Sequence, residues 1–136
     1  MSHALKVFFL FSDGRPSLAH RATLASVAIL PRHGVDAVAC FLGEGPLLGV
    51  SRDELGIATV LLGSTRGALT GRPARRALEP ALHGAHAHVV HAVGAAAHLV
   101  ASDVARRLGV PAIWSQYGAA SWGDLVQVRA ALAPSA

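Results

Sequence analysis

Residues 88–118 read HVVHAVGAAAHLVASDVARRLGVPAIWSQYG, and this stretch decides the fold. It opens on the β-branched pair Val89-Val90 and closes its first run with His91-Ala92-Val93-Gly94. Residues 95–108 then follow a helical period. Ala96, Val100, Val104 and Leu108 recur four apart with Leu99 beside them, which predicts one apolar stripe. His98, Ser102, Asp103, Arg106 and Arg107 fall on the other side. Asp103 and Arg107 stand four apart with the acid first, the favourable order for a helix-surface ion pair. Arg106 and Arg107 occupy the last turn, where positive charge suits the helix dipole. Gly109 fits the left-handed stop, and Pro111 prevents continuation. Residues 112–115, Ala-Ile-Trp-Ser, predict a second strand. Strand, helix and strand with short joins form a βαβ unit, hence a parallel sheet with a right-handed crossover.

Working outward, the same alternation fills the chain. Residues 4–11 are an apolar run broken only by Lys6, as in a central parallel strand covered on both faces. The loop Ser12-Asp13-Gly14-Arg15-Pro16-Ser17 follows. Asp13 or Ser17 can cap the next helix, and Pro16 suits a first helical position. That helix is expected over residues 17–30, with Leu18, Ala22, Ala25 and Ile29 on one face, and Pro31 and Gly34 end it. Residues 37–42 are the second strand, 43–46 a turn, 46–55 a short helix stopped by Gly56, and 57–62 the third strand. A loop over 63–71 leads to a weaker helix over 72–82, started by Pro73 and disturbed by Pro80. Residues 125–132 predict a last helical segment.

Composition bounds the function classes. At 136 residues and 52% hydrophobic, the chain is one domain with a real core, not a disordered segment. No apolar run approaches the ~20 residues that span a bilayer, and residues 7–11 are too short for the apolar core of a secretory leader. A lone Cys40, in an expected buried strand, reads as inert core. The expected compartment is the cytoplasm. Net charge is +4 from eleven arginines and one lysine against eight acids. Only seven residues are aromatic and none interleaves with arginine, so nucleic acid is not an expected partner.

Two clusters invite chemistry. His83, His86, His88 and His91 crowd into HGAHAHVVH. No nearby Cys or carboxylate completes a zinc set and the spacing matches no standard site, so no metal is expected. The first three are expected in the exposed approach to the strand. His91, near the carboxyl end of a central strand, suits either hydrogen bonding to sugar hydroxyls or phosphate, or a core position satisfied by backbone. Arg72, Arg75 and Arg76, with Arg66 nearby, form a basic amphipathic segment: either a solvated face or a peripheral contact with anionic lipid.

The order and spacing of several motifs resemble those of family-four glycosyltransferases of the GT-B class, in their amino-terminal domain. VVHAVG, a helix, and RRLGVPAIWSQYG carry the resemblance, with Arg32-His33-Gly34 before the second strand and Phe41-Leu42-Gly43-Glu44-Gly45-Pro46-Leu47 after it. It covers nearly the whole chain. It implies transfer of a sugar from a nucleotide sugar to a glycan or lipid-linked acceptor. This domain would form the acceptor side, with the donor held mainly by a carboxyl-terminal domain. By the same resemblance that second domain is absent here, this domain is itself cut short, the family's paired-glutamate donor motif has no place, and the chain alone is expected to be inactive. The loop after the first strand has only Gly14 where members are glycine-rich, so it reads either as a ligand loop or as a plain turn. Members often carry His before Gly after the fifth strand; here Tyr117 precedes Gly118. Tyrosine, with a pKa of about 10, is a poor base at neutral pH, so no catalytic residue is assigned. A non-catalytic partner subunit, or a small nucleotide-binding α/β protein, stays open.

The expected fold is therefore a single three-layer, doubly wound, Rossmann-like α/β domain over residues 1–136, with five parallel strands ordered 3-2-1-4-5. Its switch point lies between the first and fourth strands. The loops at that edge place Asp13, Gly14, Arg15, His91, Gly94, Gln116, Tyr117 and Gly118 as candidates for binding a sugar or sugar-phosphate acceptor, with Trp122 slightly further on. No cofactor is expected.

Overall fold

The computed structural model describes residues 4–63 and 68–117. The expected helix over 125–132, Gly118, Trp122 and Arg66 lie outside the described residues. Five strands form one parallel sheet: β1 (Leu5–Phe11), β2 (Val35–Phe41), β3 (Ala58–Leu61), β4 (Val89–Val93) and β5 (Ala112–Ser115). Their order is β3-β2-β1-β4-β5, as the alternating pattern predicts. β1 is central, pairing Leu5 to Phe11 with Val35 to Phe41 on one side and Val7 to Phe11 with Val89 to Val93 on the other. Its continuous apolar sequence follows from this place, since both its faces are covered.

Four helices carry the connections: α1 (Leu18–Ile29), α2 (Leu47–Gly49), α3 (Gly71–Gly84) and α4 (Ala95–Leu108). α2 widens into a π-type turn over Val50–Glu54. The pleat of the sheet divides the core. Val7, Phe9, Phe11, Ala39 and Phe41 meet Leu24 and Val27 of α1 and Leu47 and Leu48 of α2. Phe8, Leu10, Cys40, Val90 and Ala92 meet Ala74, Leu78 and Leu82 of α3 and Val100, Ala101 and Val104 of α4. Burial pushes the Cys40 thiol up to about 12, an inert core sulfur.

Helix ends follow the residues. Ser17 caps α1, its side chain accepting the His20 N–H at 3.1 Å. Pro31 ends α1 as a 3-10 turn over Leu30–His33, and Gly34 stops it at φ 74°. Gly109 closes α4 at φ 69°. Pro80 lies inside α3, longer at both ends than the sequence suggests. Its ring is exposed, and the missing N–H interrupts the ladder only where water reaches it.

Three packing expectations are corrected. On α1 the buried residues are His20, Thr23, Leu24 and Val27, while Leu18 is 79% exposed and Ile29 47%. The face that packs is set by Phe11, whose ring receives His20 edge-on at 5.3 Å between centroids. On α4, His98 and Ser102 are buried and Ala96 is exposed. This helix packs on the sheet and on α3 together, so more than one stripe is covered, and His98 stacks on Trp114 of β5 at 5.3 Å. Arg107 does not pair with Asp103: it reaches Glu79 of α3 at 3.2 Å, and Asp103 lies 3.8 Å from Arg106. A partner on a packed neighbouring helix displaces the local one.

Candidate functional site

Parallel strands deliver their following loops to one edge, and there a cleft of about 900 Å³ opens. The loop after β1 supplies Ser12, Asp13 and Arg15. The end of β2 supplies Leu42, and the approach to α3 supplies Leu69 and Thr70. Arg75 comes from the first turns of α3, and Ala96, Leu99, Val100 and Asp103 from the facing side of α4. The cleft therefore lies on the α3–α4 side of the switch point, where chains leaving β1 and β4 diverge to opposite sides of the sheet.

Short-range bonds hold its walls. Asp13 accepts the Arg15 N–H at 2.9 Å and grips the Arg15 side chain through Nε and a terminal nitrogen, each at 3.1 Å. The Arg15 carbonyl accepts from His20 Nδ1 at 3.1 Å, which ties the loop to α1. The Leu69 N–H donates to the Leu42 carbonyl at 2.7 Å and fixes the approach to α3 over the end of β2. Gly14 lines no wall. It packs against Gly45, with the Leu47 N–H donating to its carbonyl at 2.9 Å, and so sets the path of the loop that carries Asp13 and Arg15.

The charges are unevenly engaged. Arg15 is paired with Asp13, and Asp103 lies near Arg106. Arg75 is half-buried and, among the described residues, has no carboxylate within ion-pair distance. The expected arginine segment therefore divides: Arg72 and Arg76 are exposed, and Arg75 turns into the cleft. In the sequence the three arginines form one group, and nothing there singles out Leu69, Thr70, Leu99 or Val100 as cleft residues. One signal was present. Ala74, Leu78 and Leu82 are the buried stripe of α3, and at 100° per residue Arg75 borders that stripe whereas Arg72 and Arg76 lie behind it.

The other candidates lie elsewhere along the edge or below it. His91 is the middle residue of β4 rather than its end. It stacks on Phe9 at 5.0 Å, and its buried Nε2 has no hydrogen-bond partner among the described residues, so backbone does not satisfy that nitrogen. Burial holds its imidazole below the ordinary histidine range. Gly94 starts α4 at φ 86°, and its N–H donates to the Ser115 carbonyl at 2.9 Å, joining the ends of β4 and β5. Gln116 and Tyr117 follow β5, exposed, and line no part of the cleft. His83, His86 and His88 are exposed; His88 Nδ1 accepts the Lys6 N–H at 2.8 Å. Among the described residues no group of three or more His, Cys, Asp or Glu side chains is placed to hold a metal ion. No helix among them is long and apolar enough to cross a membrane.

No protein-family model matches the chain. No curated protein matches it. Solved structures do. MurG of Acinetobacter baumannii superposes with a TM-score of 0.68 at 14% identity, over 92% of this chain and 39% of MurG. HepE of Anabaena, solved in complex with UDP and glucose, superposes with a TM-score of 0.61 at 16% identity, over 81% of this chain and 29% of HepE. The chain thus spans well under half the length of either protein, and what it shares with them is the fold of one doubly wound α/β domain.

Proposed function

We propose that this chain is the acceptor-side, amino-terminal half of a GT-B glycosyltransferase. It would bind a sugar or sugar-phosphate acceptor in the switch-point cleft, while a second domain holds the nucleotide sugar. The observation that carries the reading is Arg75, half-buried and without a carboxylate partner among the described residues, facing the Asp13–Arg15 loop across that cleft, in a domain with the fold found in HepE and MurG. HepE was solved with UDP and glucose, which supports a sugar as the cargo. Arginine offers a phosphate paired N–H donors in a fixed fork, and Asp13, Ser12 and Thr70 supply partners for hydroxyls. Asp13 is the only carboxylate of the first loop, and it is committed to Arg15. The residues in the cleft therefore bind and orient; the group that accepts the acceptor's proton is not assigned to any of them. Arg72 and Arg76, flanking Arg75 on α3, are the side chains through which this half would meet an anionic lipid surface.

The test is direct. The chain alone, given uridine- and guanosine-diphosphate sugars and sugar acceptors, is expected to make no glycoside. Its amide resonances at Asp13, Arg15, Thr70 and Arg75 are expected to shift on titration with glucose 1-phosphate. Tight binding of a free nucleotide by the chain alone, or protein-dependent glycoside formation, would refute the division of labour.

A further inference from the structure

On the side of the sheet away from the cleft, α1 turns its apolar stripe to water. Leu18, Ala22, Ala25 and Ile29 share one side of the helix. Leu18 is 79% exposed and Ile29 47%, with Ala25 exposed and Ala22 half-buried between them. The core takes the other side of α1, through Leu24 and Val27. Beside the stripe runs an apolar groove of about 270 Å³, lined by Leu24 and Ala25 of α1, by Leu47 and Val50, and by Leu55, which is 37% exposed. A ridge lying beside a groove is the shape that ridges-into-grooves packing needs on both partners, and exposed apolar surface of this kind marks an interaction site. The charges around it are of both signs. Among the described residues Arg21, which also lines the groove, has no carboxylate within ion-pair distance, and Asp53 and Glu54 have no cation. They lie toward opposite ends of the stripe. Arg21 is in the first turn of α1, whereas Leu55, next after Glu54, borders Ala28 and Pro31 at the last. Two exposed acids beside the stripe disfavour an anionic bilayer as its cover.

We infer that this face pairs with a second copy of the chain, α1 against α1, antiparallel about a two-fold axis. The stripe reads the same in both directions, large, small, small, large, at spacings of four, three and four residues. In antiparallel register Leu18 therefore lies over the partner's Ile29, and Ala22 over the partner's Ala25. The alanines at the centre let the two axes approach closely, and each ridge enters the other copy's groove. The same register carries Arg21 toward the end of the partner that holds Asp53 and Glu54, and a two-fold axis makes that contact twice. The cleft opens on the α3–α4 side of the sheet and α1 covers the other, so pairing leaves both clefts open. The inference stands apart from the acceptor-side reading.

The experiment is sedimentation equilibrium of the full chain over a concentration series at two salt concentrations. One helix with its flanking groove makes a small interface, so a concentration-dependent equilibrium between monomer and dimer is expected, weaker in high salt. Leu18→Glu, at an exposed position, is expected to weaken pairing by about a hundredfold or more, because the contact is lost twice. Ile29→Lys is expected to do the same. Mixed together, the two variants are expected to pair with each other: the new acid meets the new base, and Ile29 of one chain meets Leu18 of the other. Ile113→Glu, on the exposed edge strand β5, is expected to leave pairing unchanged. A chain that stays monomeric at every concentration overturns the inference. So does a dimer that survives Leu18→Glu, one that Ile113→Glu abolishes, or a mixture of the two folded variants that stays monomeric. Phosphatidylcholine and phosphatidylglycerol vesicles that retain the monomer but not its Leu18→Glu variant would overturn it too, and give the stripe to a membrane.

Discussion

Gly14 and Gly45 meet backbone to backbone, with no room between them for a side chain. A Cβ on Gly45 would collide with the Gly14 carbonyl, and one on Gly14 would come within 2.8 Å of the Gly45 nitrogen. The contact is sealed by the Leu47 N–H on the Gly14 carbonyl at 2.9 Å. It fixes the loop that carries Asp13 and Arg15 against the loop after β2. Because the obstacle is main chain, it cannot turn aside. Gly45→Ala is therefore expected to destabilise by about 1–3 kcal/mol or more. Urea unfolding measures this, and an unchanged midpoint would show that the two loops part easily.

His98 is buried, stacks on Trp114, and among the described residues has no hydrogen-bond partner on either ring nitrogen. Burial holds the imidazoles of His98 and His91 below the ordinary histidine value of 6.5. The unfolded chain therefore takes up protons near that value while the folded chain still declines them. Stability from these groups is full above it and is lost as pH falls through it toward the lowered folded values. His98→Phe keeps the stack and removes both orphan nitrogens. It is expected to raise stability by about 1 kcal/mol near neutral pH and to reduce the loss between pH 7 and pH 5. A less stable variant with an unchanged pH slope contradicts this account.

Leu78 and Glu79 are neighbours on α3 with opposite fates. Leu78 is fully buried against the sheet and α4, while the partly exposed Glu79 pairs with the exposed Arg107 at 3.2 Å. Leu78→Ala is expected to cost about 2–5 kcal/mol. Glu79→Gln is expected to cost less than about 1 kcal/mol and to cost still less in high salt. Chemical denaturation at two ionic strengths separates the two; comparable losses would mean that the ion pair, not the core, locks α3 to α4.

Arg15 and Arg75 both line the cleft, but only Arg15 is engaged by a carboxylate. Binding a phosphate through Arg15 must compete with Asp13, whereas Arg75 has no carboxylate partner among the described residues. Arg75→Ala is expected to weaken phosphate ester binding by about tenfold or more, and Arg15→Ala by less. Asp13→Asn, which can keep the N–H acceptor while losing the charge, is expected to strengthen binding at Arg15. Isothermal titration ranks the three variants, and the reverse order would move the anion site to the first loop.

The sequence by itself determined the element order, the parallel sheet and its strand order. The signals are local: β-branched runs, a helical period over 95–108, and Pro31, Gly34, Gly56 and Gly109 as stops, three of these glycines standing in left-handed backbone. It also marked Asp13 and Arg15, because a loop after the first strand of a doubly wound sheet must reach the ligand edge. Only the tertiary structure decided which helix faces are buried and which charges meet. α1 turns His20 inward and leaves Leu18 out because Phe11 awaits the imidazole. Arg107 leaves Asp103 for Glu79 because α3 lies alongside α4. Arg75 enters the cleft because that same packing turns the border of the α3 stripe toward Leu99. These outcomes depend on surfaces distant in sequence, and no period within one helix records what the neighbouring helix presents to it.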